Sequence, residues 1–263
     1  MNPYDGSVVP LPPVEERADL TLPLLNDDYE RRDGRAPEEI RDIQIHLNPI
    51  SPKLSAGSAL LHFGTTIVTA SVIGPKLSTA RRPSSSDYIN AKLTILPMAR
   101  KDERRSTAGK VGADELALSA VVSRALAASV RAEAKVNSYL DVEMAVISDA
   151  GGVEAAVINV ASLALTLSGI ELLDLVTACT VLCFGDDEYL LDPSREELDS
   201  LKAQGISYSL LTVAAAGNLN KICYYSLTGA GLSAPLLQEA MRIGLEGCRA
   251  VFESLKGALN GNQ

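Results

Sequence analysis

Between Asp149 and Gly169 the chain reads DAGGVEAAVINVASLALTLSG, and this stretch constrains the fold more than any other. Beyond its two glycines the residues are small and apolar almost all round a helix, with no polar stripe to face water. Such a helix needs cover on several sides, and Gly169 is a natural stop for it. The preceding run, Tyr139 to Ser148, reads as a strand. A Gly-rich turn that opens a helix presents free N–H groups and the positive end of the helix dipole, so it favours an anion. Glu154, already an anion, stands at that opening. The choice is between an anion site that has been switched off and one that never existed.

The rest of the chain supplies the cover. Ser58 to Gly74 reads as two strands about a turn at Gly64, rich in β-branched residues. In YINAKLTILP the residues Ile89, Ala91, Leu93 and Ile95 alternate onto one face, which predicts a strand. Leu116, Val122, Leu126 and Val130 are expected on one helical stripe. After the buried helix, LDLVTACTVLCF, EYLLD, GISYSLLTV and NKICYYSL read as four strands. A last helix follows from Ser233, a candidate N-cap. The order is strands, helix, strand, helix, strands, helix, which fits an α+β domain with helices packed against mixed sheets.

Charge and composition narrow the function. With 263 residues, 46% of them hydrophobic and 22% charged, the chain can bury a sizeable core. No apolar run reaches membrane-span length and the start MNPYDGSVVP carries no signal pattern, so no membrane role is expected and the default compartments are cytosol and nucleus. The net charge of −9 is unevenly spread: residues 1–30 hold seven acids, one base and five prolines, whereas Lys76 to Lys110 holds nine bases and three acids. Residues 1–30 therefore read as an extended or disordered acidic arm, and 31–263 as a single folded domain. Cys179, Cys183, Cys223 and Cys248 sit in apolar runs without a CxxC pair and read as buried free thiols. His46 and His62 lack partners at zinc-ligand spacing, which argues against a metal site or a histidine-based hydrolase.

Several motifs in order carry a resemblance: RRDGRAPEEIR, GSALLHFGTTIVTASVIGP, the DAGG-led helix, SGIELLDLVTAC and LLDPSREE. Together they resemble the ribonuclease PH family over roughly residues 31–259, and within it the ring subunits of the RNA exosome. The ending LLQEAMRIGLEGCRAVFESL is most similar to the subunit type called the mRNA-transport regulator, with the rRNA-processing types next to it. The resemblance implies the RNase PH fold (ribosomal protein S5 domain 2-like). It implies a six-membered ring of related subunits around an RNA channel, with other RNase PH-like subunits, S1/KH-type cap proteins and RNA as partners. It implies no cofactor, and work in the nucleus, including the nucleolus, and in the cytoplasm.

Active members of the family use inorganic phosphate to attack the last RNA linkage. That chemistry needs cations around the phosphate and carboxylates near the scissile bond. The family's phosphate loop has the form Gly-Gly-Thr-Arg. Here it reads Gly151-Gly152-Val153-Glu154, so the hydroxyl is lost and a cation has become an anion. At about 4 Å and an effective dielectric of about 20, a like charge costs roughly 4 kcal/mol. Active relatives also carry two aspartates six residues apart. Counting back from GISYSLLTV puts Asp199 and Gly205 at those positions, and counting forward from Asp192 puts Leu198 and Gln204 there. Either way the second aspartate is absent. The resemblance therefore implies a degenerate phosphate site, a degenerate acidic site and no catalytic residue.

Binding is the function left to expect. RKDERRSTAGK matches the region where active relatives place a second phosphate-contacting arginine, and Arg104 and Arg105 are its candidates. With Arg81, Arg82, Lys92, Arg100, Lys101 and Lys110 they form a stripe suited to sequence-blind, salt-sensitive phosphate contacts. Tyr88 is the one aromatic in the stripe. A solvated charged loop is the bland alternative for any single residue. Other features have structural readings: Asp114 and Glu115 favour a helix dipole, Asp192 holds a turn after an edge strand, and Glu196, Glu197 and Asp199 begin an exposed acidic helix. The expected protein is a non-catalytic exosome ring subunit. Its rivals are an active phosphorolytic 3′-to-5′ exoribonuclease and a free-standing RNA-binding module.

Overall fold

The structure is a computed structural model that describes residues 24–25, 30–77, 88–99, 112–131, 138–185, 188–219 and 221–261. Two sheets enclose the apolar helix. The first contains β1 (Ile43–Leu47), β2 (Gly57–Phe63), β3 (Thr66–Leu77), β4 (Ile89–Ile95) and β5 (Ser138–Ser148), in the order β1-β2-β3-β5-β4. All its pairs are antiparallel except β4 with β5. The second contains β6 (Val176–Phe184), β7 (Glu188–Leu191), β8 (Tyr208–Ala216) and β9 (Lys221–Gly229), in the order β7-β6-β8-β9, antiparallel throughout.

Helices α1 (Ala113–Ala127) and α2 (Val153–Leu167) pack against the first sheet, and α2 also packs against β6 and β8 of the second. Every residue of α2 from Ala155 to Leu165 is buried. Helix α4 (Ala234–Asn260) packs on β6 and β8, and the short α3 (Arg195–Gln204) joins β7 to β8. An internal helix must leave no buried polar group unmet, and α2 uses its two fully buried polar residues, Asn159 and Ser162, to bind a strand edge. Asn159 accepts from Ala178 N at 2.6 Å and donates to Ala178 O at 2.9 Å, while Ser162 Oγ accepts from Val176 N at 3.0 Å. The helix thus stands where a further strand would pair with the first half of β6.

The alternation of β4 is as expected: Ile89, Leu93 and Ile95 are buried and Asn90, Lys92 and Thr94 exposed. Helix α2 stops at Ser168, with Gly169 left-handed at φ 75° just beyond. Three expectations need correction. Leu116 is 61% exposed, whereas Val122, Leu126 and Val130 are buried. Glu115 is buried too; beyond facing the helix dipole, its carboxylate accepts from Gly112 N at 2.7 Å and from Ile95 N at 2.8 Å. The segment starting at Glu196 is a true helix, α3, but Glu197 is buried within it. Its carboxylate accepts from Ser194 N at 2.7 Å in a capping box and lies 3.8 Å from Arg31. At α4, Ser233 holds the N-cap position without a side-chain bond, and a proline follows in the first turn.

Most of residues 1–30 lie outside the described residues, but Leu24 is buried against Leu182, Leu190 and Leu201. Among the described residues no helix is long and apolar enough to cross a membrane.

Candidate functional site

The Gly151-Gly152 loop sits where both sheets, α2 and the start of α3 converge. Its glycines answer to close packing. A Cβ on Gly151 would lie 2.7 Å from Pro193 O and Arg195 N, and one on Gly152 would lie 2.8 Å from Arg41 Nη2. Both have positive φ, 100° and 65°. Ala150 O accepts from Arg195 N at 2.8 Å, so the loop after β5 and the loop after β7 are held backbone to backbone.

Arg41 occupies the space beneath the loop. Its Nε and Nη2 donate to the two carboxylate oxygens of Asp192 at 2.7 and 2.6 Å, and Asp192 Oδ2 also accepts from Arg41 N at 3.0 Å. The remaining guanidinium hydrogens go to Thr66 Oγ1, Ala150 O and Gly151 O. Asp192 does mark a turn after β7, at φ 52°, and it is also the buried counter-charge of the loop's own arginine. Arg31, buried beside this pair, donates to the carbonyls of Leu191 and Pro37. Burial pushes its guanidinium below the ordinary arginine range, against the opposing pull of Glu197.

Glu154 heads α2 and turns toward the second sheet. Burial raises its carboxyl above the ordinary range, opposed by hydrogen bonds from Thr212 of β8 and Tyr224 of β9. Thr212 in turn shares a hydrogen bond with Thr180 at 3.2 Å. The group at the positive end of α2 is therefore a carboxyl of the chain itself. Val153, beside it, is partly buried against the core.

The two degenerate sites prove to be neighbours, joined by a residue the sequence did not single out. Arg195 pairs with Asp149 of the loop at 3.0 Å and lies 3.9 Å from Asp199 one turn along α3. Asp199 also pairs with Lys202. Gly205 ends α3 in the left-handed conformation at φ 68°, a helix-stopping role. Leu198 belongs to the apolar cluster around Leu24, and Gln204 closes the helix. The cations at this site, Arg41 and Arg195, thus each face a carboxylate, as Arg31 faces Glu197. The loop's surroundings resemble an internally neutralised joint.

Of the basic stripe, Arg81, Arg82, Arg100, Lys101, Arg104, Arg105 and Lys110 lie outside the described residues. Lys92 is exposed on β4, in register with Glu143. Lys76 pairs with Asp141, which also accepts from Asn90 at 2.6 Å. Burial pushes the Asp141 carboxyl up, but Lys76 and Asn90 outweigh it and hold the group below its ordinary range.

The cysteines are internal or partly covered. Burial lifts the thiol of Cys183 to about 11 and that of Cys248 to about 12, so neither offers a thiolate at neutral pH. His46 and His62 stand edge to face, 5.7 Å apart. Among the described residues no group of three or more His, Cys, Asp and Glu could hold a metal ion.

A layered α+β fold with a Gly-Gly loop heading an internal helix defines a class, and the family comparison agrees with it. Residues 39–171 match the model of the 3′ exoribonuclease family, domain 1 (RNase PH), and residues 174–247 match domain 2. The chain belongs to this 3′ exoribonuclease family. The break between the two models falls between α2 and β6, where the chain leaves the first sheet for the second.

Among its relatives is the exosome complex component Rrp41 of Pyrobaculum neutrophilum, 32% identical over 90% of this chain and 92% of that one. The exosome complex component ski6 of Schizosaccharomyces pombe is 27% identical over 87% of this chain and 90% of its own. The fold is shared with rice Rrp46, at a TM-score of 0.70 and 24% identity over 87% of this chain and all of that one. It is shared too with a chain of the Archaeoglobus fulgidus exosome with RNA bound to the active site, at 0.71 and 22% over 86% and 93%.

Proposed function

We propose that this chain is a non-catalytic subunit of an exosome core ring, supporting 3′-to-5′ RNA processing and degradation and contributing to the RNA path. The observation that carries this reading is Glu154. At the head of α2, where the family's loop offers a cation, a carboxyl is held by Thr212 and Tyr224. A phosphate approaching there meets a group able to carry like charge, and the nearby arginines are engaged with Asp192 and Asp149. Gly205 by one count and Gln204 by the other leave the second carboxylate position without an acid.

The ring role draws on the relatives, which are exosome components matched over most of their length. The partners are other RNase PH-like subunits, RNA, and S1/KH-type proteins capping the ring. The reading carries with it residence in the nucleus, nucleolus and cytoplasm. The RNA path runs along the basic stripe, of which Lys92 is the described member. An active phosphorolytic enzyme is the rival; it requires phosphate-dependent release of nucleoside diphosphates that depends on residues of this chain.

Native mass spectrometry of the tagged chain, purified from its own cells, tests the assembly. One copy of this chain among several distinct chains of related sequence is the expected result. A lone monomer overturns the ring reading.

A further inference from the structure

Sheets leave rows of unpaired N–H and C=O groups at their edges, and folded proteins normally cover them or keep them short and polar. This chain covers most of its own. At β4 the outward amides of Ala91, Leu93 and Ile95 donate to Ser123, Ser119 and Glu115 of α1. At β7, Leu191 N donates to Pro37 O and Leu191 O accepts from Arg31. The first half of β6 is met by Asn159 and Ser162 of α2. Strand β1 is left at an edge, but it has only five residues, and its outward side chains include Gln44 and His46.

Strand β9 is different. It has nine residues and pairs only with β8 among the described residues. It contains no proline and one charge, Lys221 at its start. It is also apolar where it meets water: Ile222 is 44% exposed, Tyr225 60% and Leu227 37%. With Leu219 in the preceding turn, this one hairpin holds four of the nine large apolar side chains that the described residues expose. A bulge gathers three of them. Ala214 pairs with Tyr224 and Ala215 with Ile222, so Cys223 is the extra residue. Without it Ile222 and Tyr225, three apart, would face opposite ways. With it both lie on the face of Val213 and Ala215, in line with Leu227.

We propose that β9, from Tyr224 to Gly229, is a seam at which this chain takes up an extended strand of a neighbouring ring subunit, an inference that rests on the ring reading above. An open edge selects its occupant by chemistry, because a row of backbone donors and acceptors at strand spacing is satisfied by another strand. The side chains narrow it further. The partner strand presents apolar residues beside Tyr225 and Leu227 and polar ones beside Ser226 and Thr228.

Hydrogen exchange followed by mass spectrometry tests this, comparing the isolated chain with the chain co-expressed with a 3′ exoribonuclease-family partner from its own source. In the isolated chain the β9 amides that pair with β8 are slow and the alternate ones fast. In the assembly the fast amides within Tyr224–Gly229 become slow, while β4, already bonded to α1, does not change. Tyr225→Lys and Leu227→Lys each reduce recovery of the mixed assembly by about tenfold or more, and Leu116→Lys, at an exposed site elsewhere, has no effect. If the assembly forms and β9 amides exchange as in the isolated chain, the seam is wrong and the ring reading stands. If no mixed assembly forms, both fall.

Discussion

Arg41 and Asp192, 151 positions apart in sequence, form a bidentate ion pair with contacts of 2.7 and 2.6 Å beneath the Gly151-Gly152 loop. Asp192 is 1% exposed and the Arg41 side chain 8%, so removing either partner leaves a charge stranded in the interior. Asp192→Ala and Arg41→Ala should each cost about 3–5 kcal/mol in denaturant unfolding, and the double variant less than the sum.

Asn159 takes the place of a strand backbone. Asn159→Ala leaves both Ala178 N and Ala178 O unpaired in a fully buried setting. The expected loss is about 2–4 kcal/mol, with exchange of the Ala178 amide accelerated relative to its neighbours. A variant of near wild-type stability would mean that α2 is not held to β6 through this side chain.

Gly57 seats β2 against the end of α2. A Cβ there would stand 2.4 Å from Ser168 N and 2.5 Å from Ala164 O, both backbone atoms that no rotamer change can clear. Gly57→Ala should therefore lie at or above the about 1–3 kcal/mol usual for an overpacked core. Gly169→Ala, with nothing within 4 Å of its Cβ but φ at +75°, should cost about 1 kcal/mol.

Glu154 makes stability depend on pH in a direction opposite to most carboxylates. Burial raises its folded-state carboxyl above the unfolded value, so between the two the folded chain holds a proton that the unfolded chain has released. Stability then falls as pH rises from the ordinary carboxylate range through the raised one. Glu154→Gln should raise the melting temperature at pH 7, and the gain should vanish below the ordinary carboxylate range. A melting temperature lowered by Glu154→Gln at pH 7 would show that the charged form is the one the fold favours.

RNA contact through the basic stripe has a salt signature. Replacing Arg104 and Arg105 by Ala should weaken binding of unstructured RNA without regard to sequence and reduce the slope of log K against log salt by about 0.7 per lost contact. An unchanged slope would return these residues to the solvated surface.

How much of this was legible depends on how local each signal was. β4 was readable because Ile89, Leu93 and Ile95 alternate with exposed residues, and α2 because Ala155 to Leu165 contain almost nothing polar. Leu116 carried its own warning: it lies six residues before Val122, about 240° round the helix. β1 shows plain alternation in Ile43, Ile45 and Leu47. α3 was harder, because REELDSLKAQ has little apolar content and its burial depends on Arg31, distant in sequence.

At the site, Gly151, Gly152 and Glu154 could be singled out from sequence, since a loop that opens a helix is a local pattern. Arg41, Thr66, Arg195, Thr212 and Tyr224 could not, and Asp192 was legible only as a turn residue, since nothing in their own neighbourhoods says they meet at that loop. Their roles are set by topology. β7 ends beside the loop after β5, and β8 and β9 pass the head of α2.

The most direct test of the account is phosphorolysis measured on this chain's own residues. The assembly purified through the tagged chain is given 3′-labelled RNA with and without inorganic phosphate, in wild-type, Glu154→Gln and Asp199→Asn forms. The account predicts that nucleoside diphosphate release, at whatever level the partner chains set, is the same in all three. A fall of tenfold or more in either variant, with the assembly intact, would contradict it and make this chain a working phosphorolytic enzyme.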